Sequence, residues 1–274
     1  MWTRRSPRRW IRRRTRYTLR AVTPDDDLER LVGWLREATF VTALTGAGIS
    51  TESGIPDFRG PQGVWTRDPE AEKRANLQYY LANKDARVNS WRSRLDSPLA
   101  KAQPNAGHGA LVELERKGKL QALITQNIDG LHHAAGNNPA NIIEVHGNVR
   151  EFRCMNCTDR GPIERVLDRV RGGEDDPPCR SCGGILKSAT ISFGQNLERD
   201  DIERSETAAA ASDVFLAIGT SLAVYPVALT PEIAIRSGAK LAILNAEETP
   251  YDRVAHVVIR ERLGEVLPRL VAML

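Results

Sequence analysis

Six short apolar runs, none longer than six residues, are spread through this 274-residue chain. They cover residues 40–44, 121–125, 142–145, 213–218, 240–244 and 255–259. Runs of this length and composition read as strands buried on both faces. Amphipathic stretches separate most of them. Leu28, Leu31, Val32 and Leu35 share one face of a helix that Asp25-Asp26-Asp27 cap and that runs to about residue 38. Further helices are expected near 107–117, over 198–211, near 226–237 and over 263–273. Strands alternating with such helices imply an α/β fold, a parallel sheet covered on both faces. Residues 54–105, rich in Pro, Gly, Arg and Asp, are expected to hold short helical pieces such as 70–83 and no strand.

On such sheets ligands bind beyond the carboxyl ends of the strands. The residues that follow the runs are Gly46-Ala47-Gly48-Ile49-Ser50, Gln126-Asn127-Ile128-Asp129, His146-Gly147, Gly219-Thr220-Ser221 and Asn245-Ala246-Glu247. Any one of these is ordinary turn chemistry. Five in register, dominated by glycines, hydroxyls, amides, carboxylates and an imidazole, describe one ligand edge. Gly46-x-Gly48 resembles the start of a dinucleotide loop, where glycines let backbone amides approach a pyrophosphate and a helix terminus adds positive potential. The full G-x-G-x-x-G is not met, since position 51 is Thr and the next glycine is Gly54. An ADP-containing ligand in a variant loop fits better than a hydride-transfer site.

The four cysteines fall at 154, 157, 179 and 182, two CxxC pairs separated by 21 residues. Residues 1–20 hold nine arginines and no acid, and they lack the apolar core of a secretory signal. A reducing, cytoplasmic setting is therefore expected, in which paired CxxC reads as metal and not disulfide. Four thiolates suit tetrahedral zinc, and with no further ligand evident the metal is expected to be structural. A zinc ribbon can also bind nucleic acid, but Glu174-Asp175-Asp176 in the insert argues against a phosphate surface. The net charge of +4 lies in the basic tail, and without its nine arginines the rest of the chain carries −5. Residues 1–24 read as a disordered extension or start-site artefact, a basic arm for nucleic acid, or an organelle presequence. No apolar run approaches the roughly 18 residues of a membrane span. Of the 39 basic residues only 7 are lysine, the bias of a GC-rich, bacterial coding sequence.

Thr45-Gly46-Ala47-Gly48-Ile49-Ser50, Gly54-Ile55-Pro56-Asp57-Phe58-Arg59, Gln126-Asn127-Ile128-Asp129, His146-Gly147, the CxxC pairs and Gly219-Thr220-Ser221 stand in the order of the sirtuins. Over about residues 27–273 the chain resembles that family of NAD-dependent protein lysine deacylases. The resemblance implies a Rossmann-like, doubly wound domain over 25–148 and 192–274. It also implies a zinc-ribbon small domain over 149–191, with residues 54–105 shared between the cofactor loop and small-domain helices.

It further implies that NAD is consumed and not reduced. An acyl-lysine carbonyl oxygen attacks the nicotinamide ribose as nicotinamide leaves, through an oxocarbenium-like transition state. His146 deprotonates a ribose hydroxyl, directly or by relay, and the products are free lysine, nicotinamide and O-acyl-ADP-ribose. Asp129 and the Ile128 backbone take the nicotinamide carboxamide, and Gln126 a ribose. Asn127 is expected as a catalytic residue with His146, its amide suited beside the Asp129 carboxylate to hold the two ends of such a carboxamide. Gly46, Ala47, Gly48 and Ile49 form the nucleotide loop with Gly219. Ser50, Thr220, Ser221, Asn245 and Glu247 hold phosphates and the adenosine ribose, with Leu263 lining the adenine. Asp57, Phe58 and Arg59 close over the cofactor, and Phe58 keeps water from the reactive carbon. Phe193 and Gly194 help pair the substrate peptide as an added strand. Gln195 stands where many relatives have Glu, which removes a charge beside the peptide. The Tyr-x-x-Arg pair that holds acidic acyl groups is not visible near Trp91-Arg92-Ser93-Arg94, so acetyl or other neutral acyl chains are expected. ADP-ribosyl transfer or NAD hydrolysis on the same site, and a non-catalytic NAD sensor, are the other readings.

Overall fold

The computed structural model describes residues 24–274 without 59, 61, 62, 69, 98 and 100, so the basic tail and Arg59 lie outside the described residues. Among the described residues the order is α1 (Pro24–Glu37), β1 (Val41–Thr45), α2 (Val64–Arg67), α3 (Glu70–Arg74), α4 (Leu77–Ala82), α5 (Lys84–Leu95), α6 (Ala106–Arg116), β2 (Ala122–Thr125), α7 (Leu131–Ala135), β3 (Ile142–Glu144), β4 (Gly147–Cys154), β5 (Arg160–Pro162), α8 (Glu164–Arg171), β6 (Leu186–Thr190), α9 (Arg199–Ala211), β7 (Val214–Ile218), α10 (Thr230–Arg236), β8 (Lys240–Leu244), β9 (Val257–Ile259) and α11 (Leu263–Ala272). The six apolar runs form one parallel sheet in the order β3-β2-β1-β7-β8-β9.

Successive side chains of a strand point to opposite faces, and the core divides accordingly. Val41, Ala43, Val214, Leu216 and Ile218 pack with Leu28, Leu31 and Leu35 of α1, Leu111 and Leu114 of α6, and Val266, Leu267 and Leu270 of α11. Leu44, Phe215, Ala217, Leu241 and Ile243 face the other way, toward Ala209 of α9 and Ala234 of α10. Both faces are covered, which is why these strands read as continuous apolar runs. No helix among the described residues is long and apolar enough to cross a membrane.

Local chemistry moved several boundaries. Asp25, Asp26 and Asp27 sit inside the first turn of α1, where negative charge complements the helix dipole, and not ahead of it. The expected helix 70–83 breaks at Asn76, whose Oδ1 accepts from the Gln78 and Tyr79 amides at 2.9 and 3.3 Å and caps α4. Helix α5 was not expected as a separate element. Its apolar stripe is narrow, but Asn83 caps it and its Trp91 is buried. Residues 227–229 form a 3₁₀ turn ahead of α10. The last strand starts at Val257, because the Leu241 amide bonds to the His256 imidazole at 3.1 Å.

A second, antiparallel sheet has the order β5-β4-β6. Phe152, Val166, Leu167, Val170 and Leu186 build its apolar cluster, and Trp91 of α5 completes it. The described residues of 54–105 form no strand. Asn76 does make an isolated pairing with Phe193.

Candidate active site

The strand order reverses between β1 and β7, and there the two glycine loops meet. The Gly46 amide donates to Ile218 O at 3.1 Å, the Gly48 amide to Gly219 O at 2.9 Å, and the Gly219 amide to Leu244 O at 2.9 Å. A Cβ on Gly46 would lie 2.8 Å from both Gly219 O and Thr220 Cβ, and one on Gly48 2.7 Å from the Gly219 Cα. Gly219 has φ of +60°, and a Cβ there would meet the Ile49 nitrogen at 2.5 Å. Part of the glycine requirement is therefore chain against chain. The sequence assigned these glycines only to an approaching pyrophosphate. A 3₁₀ helix, Ala47–Ser53, follows the first loop.

The loop after β2 joins this junction. Asn127 is buried, and its Nδ2 donates to Gly46 O at 3.0 Å and Ser50 Oγ at 3.2 Å. Ser50 is fully buried, and its hydroxyl donates to Asp129 Oδ2 at 2.7 Å. The other carboxylate oxygen of Asp129 accepts the Leu131 amide at 2.9 Å. Ser50, expected among the phosphate and ribose groups, is here joined to the amide and carboxylate pair. A buried hydroxyl needs a partner, and the Asp129 carboxylate is the strong acceptor within reach. Gln126 turns toward the neighbouring loop, its Nε2 donating to Thr220 Oγ1 at 2.8 Å.

His146 occupies the two-residue link between β3 and β4, one residue beyond the expected strand end. Its Nδ1 lies 2.9 Å from Gln126 O. A carbonyl can only accept, so Nδ1 carries the hydrogen and Nε2 keeps the lone pair. Burial pushes the imidazole pKa below its usual 6.5, against the opposing pull of the Gln126 bond. The Ile191 amide anchors the His146 carbonyl at 2.8 Å. Gly147 then has φ of +66° and packs against Ala189 O, where a Cβ would sit at 1.9 Å. Only glycine lets the chain turn there.

Other expected positions lie around this junction. Asn245 Nδ2 donates to Glu247 O at 2.9 Å, and Glu247 and Ser221 are exposed. Leu263 is mostly core, 8% exposed at the start of α11. In the 54–60 loop Asp57 Oδ1 accepts the Gly60 amide at 3.0 Å, and Phe58 is 41% exposed. Phe193 has both backbone groups in use, its amide on Ala75 O at 3.0 Å and its carbonyl on the Leu77 amide at 2.9 Å. It is therefore already engaged in the isolated bridge to Asn76 within the chain. Gly194 follows with φ of +77°.

Two site-building residues escaped the sequence reading. Asn105 caps α6 and also donates through Nδ2 to Ile49 O at 2.8 Å and Ser53 Oγ at 2.9 Å, fixing the 3₁₀ helix. An Asn ahead of an apolar helix was the available signal. Arg260 donates to Asn245 O and Glu247 O, both at 2.7 Å, and also bonds to Asp252. No local pattern announces it.

The Sir2 family model matches residues 46–226. The chain belongs to the Sir2 family. It is 48% identical over 230 residues to the NAD-dependent protein deacetylase 2 of Streptomyces coelicolor, covering 84% of this chain and 95% of that one. A solved Sir2 structure with a p53 peptide and NAD+ superimposes with a TM-score of 0.79 at 34% identity, covering 89% of this chain and 97% of that one. A Sir2 variant with deacetylated p53 peptide and 3′-O-acetyl-ADP-ribose gives a TM-score of 0.81 at 34% identity over the same shares.

In this Sir2-family chain Cys154, Cys157, Cys179 and Cys182 gather with all four sulfurs within 4.8 Å of one another. Cys154 and Cys182 are 3.5 Å apart, Cys157 and Cys179 3.7 Å. Zn–S bonds of about 2.3 Å in a tetrahedron put sulfurs about 3.8 Å apart, so the quartet fits zinc. The donor set at the switch point fits NAD in the same sense. The glycine junction lies beside hydroxyls, and an amide and carboxylate lie one loop away, as a phosphate-to-carboxamide ligand needs.

Proposed function

We propose that this chain is an NAD-dependent protein lysine deacetylase that transfers the acyl group to ADP-ribose and releases nicotinamide. The observation that carries this reading is the joined set Asn127–Ser50–Asp129, tied to Gly46 at the switch point, in the loop whose Gln126 carbonyl holds His146. An electron-pair donor, Nε2 of a neutral imidazole, thus lies one loop from groups suited to an amide.

Bound NAD supplies an anomeric carbon with nicotinamide as its leaving group. Asp129 and Asn127, with the Ile128 backbone, hold the carboxamide. Ser50 keeps Asp129 in place and so acts through it. Thr220, Ser221, Asn245 and Glu247 take phosphate and ribose oxygens, with Gln126 on a ribose, and Arg260 braces the Asn245 loop. Phe58 excludes water from the reacting carbon, with Asp57 closing its turn. His146 Nε2 accepts the ribose hydroxyl proton, while its Nδ1–H stays on Gln126 O. The acyl-lysine peptide runs beside Gly194 as an added strand, Phe193 being its inner neighbour. The zinc quartet holds the small sheet whose β4 starts next to His146. We assign residues 1–24 no part in the chemistry and treat nucleic acid as a partner of that tail alone. Free thiolates for zinc favour the cytoplasm.

The test is mass spectrometry of the products formed from NAD and a panel of acyl-lysine peptides. Free lysine peptide, nicotinamide and O-acyl-ADP-ribose are expected, with acetyl and neutral chains ahead of succinyl. ADP-ribose, free or protein-bound, without the acylated product would replace this reading with NAD hydrolysis or ADP-ribosyl transfer.

The pH profile supplies a second check. The neutral form of His146 is the active base, and burial depresses its pKa. The active form therefore persists to lower pH than for a free imidazole. The acid limb of kcat/KM is expected below about 6.5. A limb above that value would contradict the assignment.

A further inference from the structure

Beneath the Gln126–Asp129 loop lies a buried chain of side chains with no part in the chemistry described above. Thr45 and Thr125 end the adjacent strands β1 and β2 and are register partners. Their hydroxyls are 2.9 Å apart, with Thr45 donating to Thr125. The Asn127 amide also donates to Thr125 Oγ1, at 3.1 Å. On the far side of the loop, in α7, His132 Nε2 lies 2.9 Å from Thr45 Oγ1. Thr45, Thr125 and His132 are 0%, 3% and 2% exposed. The loop that displays Asn127, Ile128 and Asp129 is thus tied at both ends to one hydroxyl pair.

We infer that His132 is a positioning residue, which closes the base of the nicotinamide loop through Thr45 and Thr125 and so sets the placement of Asn127 and Asp129. The inference rests on the deacetylase reading for what the loop holds, and on the hydrogen bonds for the rest. Thr45 has one hydroxyl hydrogen, and its acceptors are Thr125 Oγ1 at 2.9 Å and Ile124 O at 3.5 Å. The His132 nitrogen must then donate, so the ring carries its hydrogen on Nε2. Burial, with repulsion from His108 and His133, pushes its pKa down to about 3, so the ring is neutral through the working range. Its Nδ1 has no partner, nor has His108 Nε2, and the two rings stand 5.0 Å apart. An imidazole held with one nitrogen unsatisfied has only the Thr45 bond to justify its polarity there. An apolar side chain would fill that space at lower desolvation cost, were packing the whole task.

The test compares His132→Leu, which keeps bulk, with His132→Gln, whose amide N–H can stand where Nε2–H does. Thr45→Val and Thr45→Ser form a second pair. In His132→Leu and Thr45→Val the nicotinamide concentration giving half-maximal exchange is expected to rise about tenfold, the scale of one lost buried hydrogen bond. The KM for acetyl-lysine peptide should stay within about twofold, since that strand binds elsewhere. His132→Gln and Thr45→Ser should restore most of the effect. A readout on the protein alone accompanies this: amide hydrogen exchange at Asn127, protected in wild type and His132→Gln and faster in His132→Leu. An unchanged nicotinamide constant in His132→Leu, no rescue by Gln, or a parallel rise in peptide KM overturns the inference. So does failure of both apolar variants to fold, which would make the relay plain scaffold. The deacetylase reading fails separately, by absence of peptide-dependent exchange in the wild type. Asn127 protection lost in His132→Leu would still support the relay in that case.

Discussion

His146→Ala is expected to lower acetyl-lysine turnover by roughly 10²- to 10⁴-fold, the usual contribution of a positioned acid–base group. NAD should still bind, because the glycine junction and the Asn127–Ser50–Asp129 set come from other loops. The fold should also hold. The backbone bond from Ile191 to His146 O does not depend on the imidazole, and the side chain is only half-buried. In the proposed mechanism nicotinamide departs before the proton is moved, so nicotinamide exchange, which there needs the acyl peptide, should survive better than deacetylation. Asp129 and Asn127 are proposed to hold the departing group, so Asp129→Ala and Asn127→Ala should impair both reactions together. Measuring exchange and turnover for all three variants with one peptide separates these roles. Wild-type turnover in His146→Ala would show that the junction binds without using that base.

Cys154→Ser is expected to release the metal and unfold the small sheet while the six-stranded sheet persists. The small sheet has three strands, one covering helix and a modest apolar cluster to which Cys154 and Cys179 themselves belong. A core of that size does not stand alone, and structural zinc contributes about 10–16 kcal/mol in comparable peptides. The consequence reaches the active site. Strand β4 starts at Gly147, paired with Thr190 of β6, directly beside His146. Turnover should fall even though no cysteine touches substrate. Metal content and a two-transition melt are the measurements. Stoichiometric zinc with an unchanged melting curve in Cys154→Ser would refute the structural role.

The sheet was legible because its strands are buried on both faces along most of their length. That requirement writes apolar runs into the chain at β1, β2, β3, β7, β8 and β9, whatever their order in space. The cysteine quartet was legible because its ligands come in local CxxC pairs that the metal itself dictates. Helix α5 was not, since only its Trp91 is buried, with Val88 and Leu95 half-buried among charged neighbours. Its surroundings, the second sheet and its cluster, come from residues about sixty to a hundred positions later.

By itself the sequence determined the layered α/β architecture, the metal quartet, and which loops carry glycines, hydroxyls, the amide, the carboxylate and the imidazole. Local rules suffice for these, namely periodicity, turn chemistry and ligand spacing. Only the tertiary structure decided which of those groups meet. Ser50 finds Asp129 across 79 residues, Gln126 finds Thr220 across 94, and His132 finds Thr45 across 87. Each meeting follows from setting β2, β1 and β7 side by side, an order no short stretch encodes. Once they are adjacent, buried polar atoms must pair with whatever their neighbour's loop presents. The glycines make the same point. Gly48 and Gly219 look like ligand glycines in the chain, and in space each is also the room the other loop requires.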